Sequence, residues 1–192
     1  MRDAVITSLK RATEFFEKNK EDVLLNLGGS QSLHSIELDS TSLAKLFDQN
    51  CGIDYVLLNL KTKEMRGVAA RVNFWSGTKG HLTIRYKRGS GAKTEYAKRA
   101  ESIANRNSLY PHVTIQLDSA DEQGSRGMSG GIAVNTESLY KYIEANKDKI
   151  TSTYMRVCKE GNDFLAIPYA DIKSFGILCK IFNTNAGGVE KK

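Results

Sequence analysis

The chain has 192 residues, of which 40% are hydrophobic and 26% are charged, which is ordinary for a soluble protein and enough to bury a core. Its net charge of +6 favours a polyanionic partner. No apolar run approaches the length of a membrane span and the start lacks a signal-peptide core, so we expect a cytoplasmic protein that does not bind membranes. The three cysteines lack metal-type spacing, which indicates reduced thiols and argues against zinc.

The first half of the chain predicts two helices followed by three strands. Helical spacing of apolar residues predicts helices over residues 2–20 and 40–50, with a turn or loop at 28–30. Extended runs then predict strands over 53–60, 65–75 and 81–88, and the polar turn after the first of them has hairpin length. In the second strand, Val68, Ala70 and Val72 share a core face, while Arg71 and Asn73 share the other face.

The second half predicts alternating helices and strands and a loose end. The predicted elements are a helix at 94–106, a strand at 110–117, a mobile polar loop at 118–131, a short strand at 132–134, a helix at 136–149, strands at 153–157 and 164–167, and a closing helix at 171–180. This order predicts an α/β fold in which helices flank a mixed central sheet. We expect a single domain over residues 1–182 and a flexible tail over 183–192.

The first candidate catalytic residues lie where the first two predicted strands pair. Asp54 opens the first strand, and a paired second strand brings Arg71 close to it. With Gly52-Ile53-Asp54-Tyr55 and the run from Gly67 to Val72, this part of the chain, roughly residues 40–117, resembles the PD-(D/E)XK nuclease-like superfamily. In that superfamily an Asp opens one strand and an acid-x-Lys triplet lies on the next. The two acids hold magnesium, and the Lys orients the attacking water.

The resemblance implies a restriction-endonuclease-like fold with Asp54 as a ligand of Mg²⁺. Arg71 stands where the Lys would be, and Ala69 stands where the second acid would be. Two explanations of Ala69 stay open. Either the second acid has moved to the following helix, where Glu95 becomes a catalytic metal ligand, or the site is inactive and the fold serves as a binding module.

Two histidines offer a competing site. His81 and His112 each begin a His-x-Thr triplet on a predicted strand, which resembles the two-histidine phosphoesterases. In that family two imidazoles act as acid and base across a phosphodiester without a metal. The alternative is that both are polar strand residues.

A glycine-rich motif and a basic stretch complete the candidates. Residues 127–131 contain Gly-x-Ser-x-Gly, which we interpret as a flexible loop because the strand and helix of a nucleophile elbow do not surround it. From Lys79 to Arg106 eight cations face two acids, with Trp75 and three tyrosines interleaved, a mixture suited to unpaired bases. The residues that we expect to bind nucleic acid are Asn73, Arg85, Lys87, Arg88, Lys93 and Arg99.

Three functional hypotheses therefore stand. The first is a nucleic-acid-binding protein of nuclease-like fold which, if active, cuts phosphodiester bonds with Mg²⁺ held by Asp54 and Glu95 and with Arg71 on the phosphate. The second is a metal-independent phosphoesterase that uses His81 and His112. The third is a catalytically inactive protein that binds nucleic acid or a protein partner, such as an accessory protein of a phage or mobile element.

Overall fold

The computed structural model describes residues 2–36, 51–106, 109–158 and 161–183. The helix predicted at 40–50 and nearly all of the predicted tail at 183–192 lie outside the described residues. The helices are α1 Arg2–Lys18, α2 Lys20–Leu27, α3 Glu95–Ala104, α4 Thr136–Ala145, α5 Lys147–Tyr154 and α6 Tyr169–Ser174. The strands are β1 Gln31–Ser35, β2 Tyr55–Asn59, β3 Met65–Asn73, β4 His81–Arg85, β5 Val113–Ser119, β6 Met128–Asn135, β7 Met155–Arg156, β8 Phe164–Pro168 and β9 Cys179–Asn183.

The described strands form two sheets. The larger sheet has six strands in the order β1-β2-β3-β5-β6-β9, and the smaller has three in the order β4-β8-β7. Within the larger sheet β3 and β5 are parallel, while its other neighbouring pairs are antiparallel. The crossover from β3 to β5 passes through β4 and α3, and the parallel pairing requires a connection of that length. The predicted α/β class with a mixed sheet flanked by helices is confirmed.

Two hydrophobic cores lie on the two faces of the larger sheet. On one face α1 and α2 pack through Phe15, Phe16 and Val23, and Val68 of β3 lies in the same core. Val72 of β3 packs against its margin, so the predicted core face of this strand is correct. On the other face the smaller sheet and α3 to α6 enclose a second core of residues including Leu82, Leu139, Tyr140, Ile143 and Leu165.

Several predicted elements differ from the structure for non-local reasons. The third predicted strand ends at Arg85 instead of Arg88, and it belongs to the smaller sheet, where it pairs with β8. The predicted closing helix at 171–180 is wrong, because α6 ends at Ser174 and β9 follows as an edge strand on β6. The sequence prediction also lacked α2 and β1, and it joined α4 and α5 into one helix. Strand partners far apart in sequence decide these boundaries.

The glycine-rich segment predicted as a loop is mostly strand. β6 starts at Met128 and contains Ser129, Gly130 and Gly131. A Cβ at Gly131 would lie 2.5 Å from the carbonyl oxygen of Gln116 on β5, so this glycine permits a close approach between two paired strands. None of the described helices combines the length and the apolar character that crossing a membrane requires.

Candidate functional site

The candidate site is a hollow beside the part of β3 that β2 leaves unpaired. β2 pairs with β3 only as far as Val68, whereas β3 continues to Asn73. Asp54, which precedes β2, accepts a hydrogen bond through Oδ2 from the amide of Ala70 at 2.7 Å. The Asp54 carboxylate therefore takes the place of a strand partner at this position.

Arg71 connects three elements across the hollow. Its backbone lies on β3, and its guanidinium donates to the carbonyl oxygen of Thr83 on β4 and to the carboxylate of Glu95 on α3. The side chain of Arg71 remains 26% exposed, so part of the guanidinium still faces the hollow. The register of β3 explains this orientation, because Arg71 is on the strand face opposite to Val68, Ala70 and Val72.

Glu95 is a charge-balancing residue between two guanidiniums. It lies in the first turn of α3, which begins after Thr94, whose side chain accepts from the amide of Ala97 at 3.2 Å. Oε2 of Glu95 pairs with Arg71 and Oε1 pairs with Arg99. Burial alone would raise the pKa of Glu95, but the charges of these two arginines outweigh it and lower the pKa below its ordinary value. Glu95 is therefore ionised near neutral pH.

Arg99 is a structural cation. Its side chain is only 7% exposed. Burial by itself lowers the pKa of Arg99, but Glu95 raises it above the ordinary value. The sequence predicts that Arg99 binds nucleic acid, whereas in the structure its side chain is almost entirely buried at the wall of the hollow.

Arg85 supplies the positive charge that Glu95 does not balance. It ends β4 with an exposed side chain, and no hydrogen bond or ion pair engages its guanidinium within the described residues. Burial of part of the group and the nearby charges of Arg71 and Arg88 lower the pKa of Arg85, and Glu95 opposes this only in part. An anion at this position would relieve the repulsion between the cations.

The loop after β4 carries the other predicted cations. Arg88 is half-buried, and its Nε has no hydrogen-bond partner among the described residues. Lys87 is exposed, and the side chain of Lys93 forms a 2.6 Å ion pair with Glu101. The charge of Arg88 contributes to the lowered pKa of Arg85.

Asn73 has a structural role in place of the predicted contact with nucleic acid. Its Nδ2 donates to Oδ1 of Asp118 at 3.0 Å, and its Oδ1 accepts from the amide of Trp75 and the hydroxyl of Thr78, each at 3.1 Å. The side chain is 8% exposed. Asn73 therefore fixes the short 3₁₀ turn Ser76–Thr78 and the backbone of Trp75 just before it.

A buried polar network behind the hollow joins the two sheets. Oε1 of Gln116 on β5 accepts from the amide and the hydroxyl of Thr83, both at 2.9 Å, and its Nε2 donates to the carbonyl oxygen of His81 at 2.6 Å. Oδ2 of Asp118 accepts from the amide of Gly80 and from the hydroxyl of Tyr169, both at 2.9 Å. These bonds hold β4 across the face of β5. The sequence prediction missed this network, although polar residues at every second position of β5 would have indicated it.

The hollow has a volume of about 670 Å³, which is within the range of ligand pockets. Three guanidiniums and two carboxylates line it, which leaves a net charge of one positive unit. The residues that line it include six of those singled out in the sequence, Asp54, Arg71, Asn73, Arg85, Glu95 and Arg99, together with Trp75, Thr83, Asn162 and Phe164.

The donor set of the hollow does not fit Mg²⁺. Magnesium requires several hard oxygen ligands in octahedral array. Arg71 and Arg99 engage both oxygens of Glu95, and Asp54 uses Oδ2 to accept from Ala70. Ala69 supplies no oxygen from its side chain, and the described residues contain no group of three or more acidic, His or Cys side chains placed to hold a metal. The net positive charge also opposes a divalent cation.

His81 and His112 contact different elements, and neither lines the hollow. His81 opens β4, and its Nδ1 shares a hydrogen bond with the carbonyl oxygen of Lys79 at 3.0 Å. His112 precedes β5, and its Nδ1 accepts from the amide of Gly67 at 3.2 Å. The carbonyl oxygen of His81 accepts from the side chain of Gln116, which lies four residues beyond His112 along the chain. The pairing of the two imidazoles across one phosphodiester stays a prediction.

No protein-family model, no curated protein and no solved structure matches this chain.

Proposed function

We propose that the protein binds nucleic acid through this hollow and holds a backbone phosphate on Arg85 without cutting the strand. The observation that carries the proposal is Arg85, which lines the hollow with Arg71 and forms no hydrogen bond or ion pair within the described residues, so that Glu95 offsets the repulsion from its neighbouring arginines only in part. A phosphate oxygen pair matches the fork of donors on a guanidinium.

The balance of charge supports binding without hydrolysis. Each oxygen of Glu95 pairs with a guanidinium, of Arg71 or of Arg99, and these two positive charges oppose its use as a metal ligand or a general base. Arg71 stands where the Lys of the nuclease motif would be, and a guanidinium does not replace an amine as a proton carrier. The third hypothesis from the sequence, a catalytically inactive binding protein, accordingly agrees best with these contacts.

We also propose that the fold derives from the PD-(D/E)XK nuclease-like architecture. The support is the antiparallel pairing of β2 with β3, which joins the strand after Asp54 to the strand that carries Arg71. In this proposal Ala69, which is 1% exposed, is a core residue that has replaced the second acid, and the arginines have taken over the space of the metal.

The experiment is a salt titration of binding to fluorescein-labelled oligonucleotides, followed by anisotropy. The net charge of +6 predicts affinity that falls as salt increases. We expect Arg85→Gln to lower the affinity about tenfold at low salt, because a charge-assisted hydrogen bond to phosphate is lost. We also expect the slope of log K against log salt to decrease by about one.

The matched control is Lys61→Gln. Lys61 is exposed in the hairpin between β2 and β3, and its replacement removes the same charge outside the hollow. We expect it to change the affinity by less than about twofold. Equal effects of the two variants would show that binding depends on net charge alone and not on the hollow.

Incubation with unlabelled DNA and RNA in Mg²⁺ and in chelator tests the absence of cleavage. We expect intact strands in both, with binding unchanged by the chelator. Cleavage that needs Mg²⁺ and disappears in Asp54→Ala would overturn the non-catalytic proposal in favour of the endonuclease hypothesis.

A further inference from the structure

Trp75 lies on the rim of the same hollow. It follows the last residues of β3 and lines the hollow together with Arg71 and Arg85. Its side chain is 58% exposed, although tryptophan is highly buried on average. The hollow therefore carries two kinds of group that bind a nucleotide. The exposed ring of Trp75 can stack on a base, and the guanidinium of Arg85, which forms no ion pair within the described residues, can bind a phosphate.

The indole ring of Trp75 packs against Gly77. A Cβ at Gly77 would lie 3.0 Å from Cζ2, 3.1 Å from Cε2 and 3.4 Å from Cη2 of the indole, so the ring rests against the bare Cα of this glycine. The backbone amide of Trp75 donates to Asn73, whose other bonds reach into the buried network. An aromatic ring that is positioned before binding loses little conformational entropy when a base stacks on it.

We infer that the nucleic acid bound by the hollow is single-stranded, with one unpaired base stacked on Trp75 and the adjoining phosphate on Arg85. The inference rests on the proposed function and narrows its substrate class. In a duplex, the faces of the bases are covered by their neighbours, so a ring at the rim of a concave site cannot reach them. Stacking on an aromatic side chain accepts every base, and the site is therefore expected to discriminate strandedness more than sequence.

Trp75 is the single tryptophan of the chain, so its fluorescence reports on this site alone. The titrants are an oligothymidylate, an oligouridylate of the same length, a self-complementary duplex and an abasic sugar-phosphate oligomer. We expect the two single strands to quench the fluorescence and to bind about tenfold more tightly than the duplex and the abasic oligomer. A difference between the first two titrants distinguishes DNA from RNA.

Three variants, measured by anisotropy, test the role of the ring. Trp75→Ala is expected to lower the affinity for single strands about tenfold and to leave duplex binding unchanged, whereas Trp75→Phe keeps most of the affinity. Gly77→Ala retains the indole but displaces it, and is expected to lower the affinity severalfold. Leu60→Ala, which removes an exposed apolar side chain away from the hollow, is the control and is expected to have no effect.

The outcomes separate the inference from the proposed function. If Arg85→Gln weakens binding while Trp75→Ala does not, or if duplex and abasic oligomer bind as tightly as the single strands, the single-strand inference is wrong and the proposed function stands. If Arg85→Gln has no effect, the proposed function fails and the inference fails with it. Far-ultraviolet circular dichroism of each variant ensures that a loss of affinity reflects the site and not unfolding.

Discussion

The role of the Glu95 carboxylate is decided by the residues that surround it in the folded chain. In the sequence it is an acid in the first turn of a helix, which suits either a metal ligand or a favourable interaction with the helix dipole. In the structure two guanidiniums enclose it, and its charge permits Arg71 and Arg99 to lie close together. Removing its charge would leave buried cations without compensation.

We therefore predict that Glu95→Gln lowers the free energy of unfolding by about 3 kcal/mol, because breaking a largely buried ion pair exposes the desolvation cost of its partners. Urea denaturation followed by circular dichroism measures the change. The same variant raises the net charge of the hollow, so we expect the affinity of the remaining folded protein for oligonucleotides to be maintained or increased.

The control for this prediction is Glu101→Gln on the same helix. Glu101 pairs with Lys93, and both side chains are more than half exposed. An exposed ion pair of this kind contributes about 0–1 kcal/mol, so this variant is expected to change the stability little. Equal destabilisation by the two substitutions would contradict the role assigned to Glu95.

At the scale of elements, the pairing of β5 with β6 explains why a strand contains two successive glycines. Gly131 pairs with Leu117, and the absence of a side chain allows the carbonyl oxygen of Gln116 to approach. Gln116 in turn uses its side chain to hold β4. A side chain at position 131 would therefore displace Gln116, and through Gln116 it would disturb β4, which lines the hollow.

We predict that Gly131→Ala lowers the free energy of unfolding by about 1–3 kcal/mol, because the new Cβ would lie 2.5 Å from a backbone oxygen and the backbone must shift. The melting temperature and the urea midpoint measure the loss. Gly130→Ala is the neighbouring control, since its Cβ would lie 3.4 Å from the carbonyl oxygen of Phe182. A neutral Gly131→Ala would show that β6 can move away from β5 at little cost.

At the scale of the whole molecule, buried phenols make the fold sensitive to alkali. Burial raises the pKa of Tyr140 to about 12. Burial, with Glu144 close to Tyr96 and Asp118 close to Tyr169, also raises the pKa values of those two phenols. A raised pKa in the folded state means that the unfolded chain releases its proton first, so these groups contribute stability below the unfolded pKa near 10 and lose it as the pH increases further.

We predict that the free energy of unfolding decreases between about pH 10 and 12, by about 1.4 kcal/mol per pH unit for each phenol ionised only in the unfolded chain. Urea titrations at several pH values measure the slope, and phenolate absorbance follows the ionisation. Tyr140→Phe removes one of these phenols but keeps its ring, so it is expected to reduce the slope. If all tyrosines ionise together near pH 10 without loss of stability, the prediction is wrong.

Local signals in the sequence determined the parts of this fold that short-range physics controls. The alternation in β3 predicted its core face, the spacing around Thr94 predicted α3, and the polar turn predicted the β2–β3 hairpin. These elements bring Asp54 and Arg71 to the same hollow. The reason is that helix period, strand alternation and helix caps depend on residues that are only a few positions apart in the sequence.

The tertiary structure alone decided what that hollow contains. The position of β4 depends on two partners that are distant in sequence. The side chain of Gln116 holds Thr83 of β4, and β8 pairs with β4 in the smaller sheet. The position of β4 in turn places Arg85 in the hollow, and α3 places Arg99 behind Glu95. The sequence lists the charges, but only the folded chain determines which of them neutralise each other, because electrostatic energy depends on distance and burial.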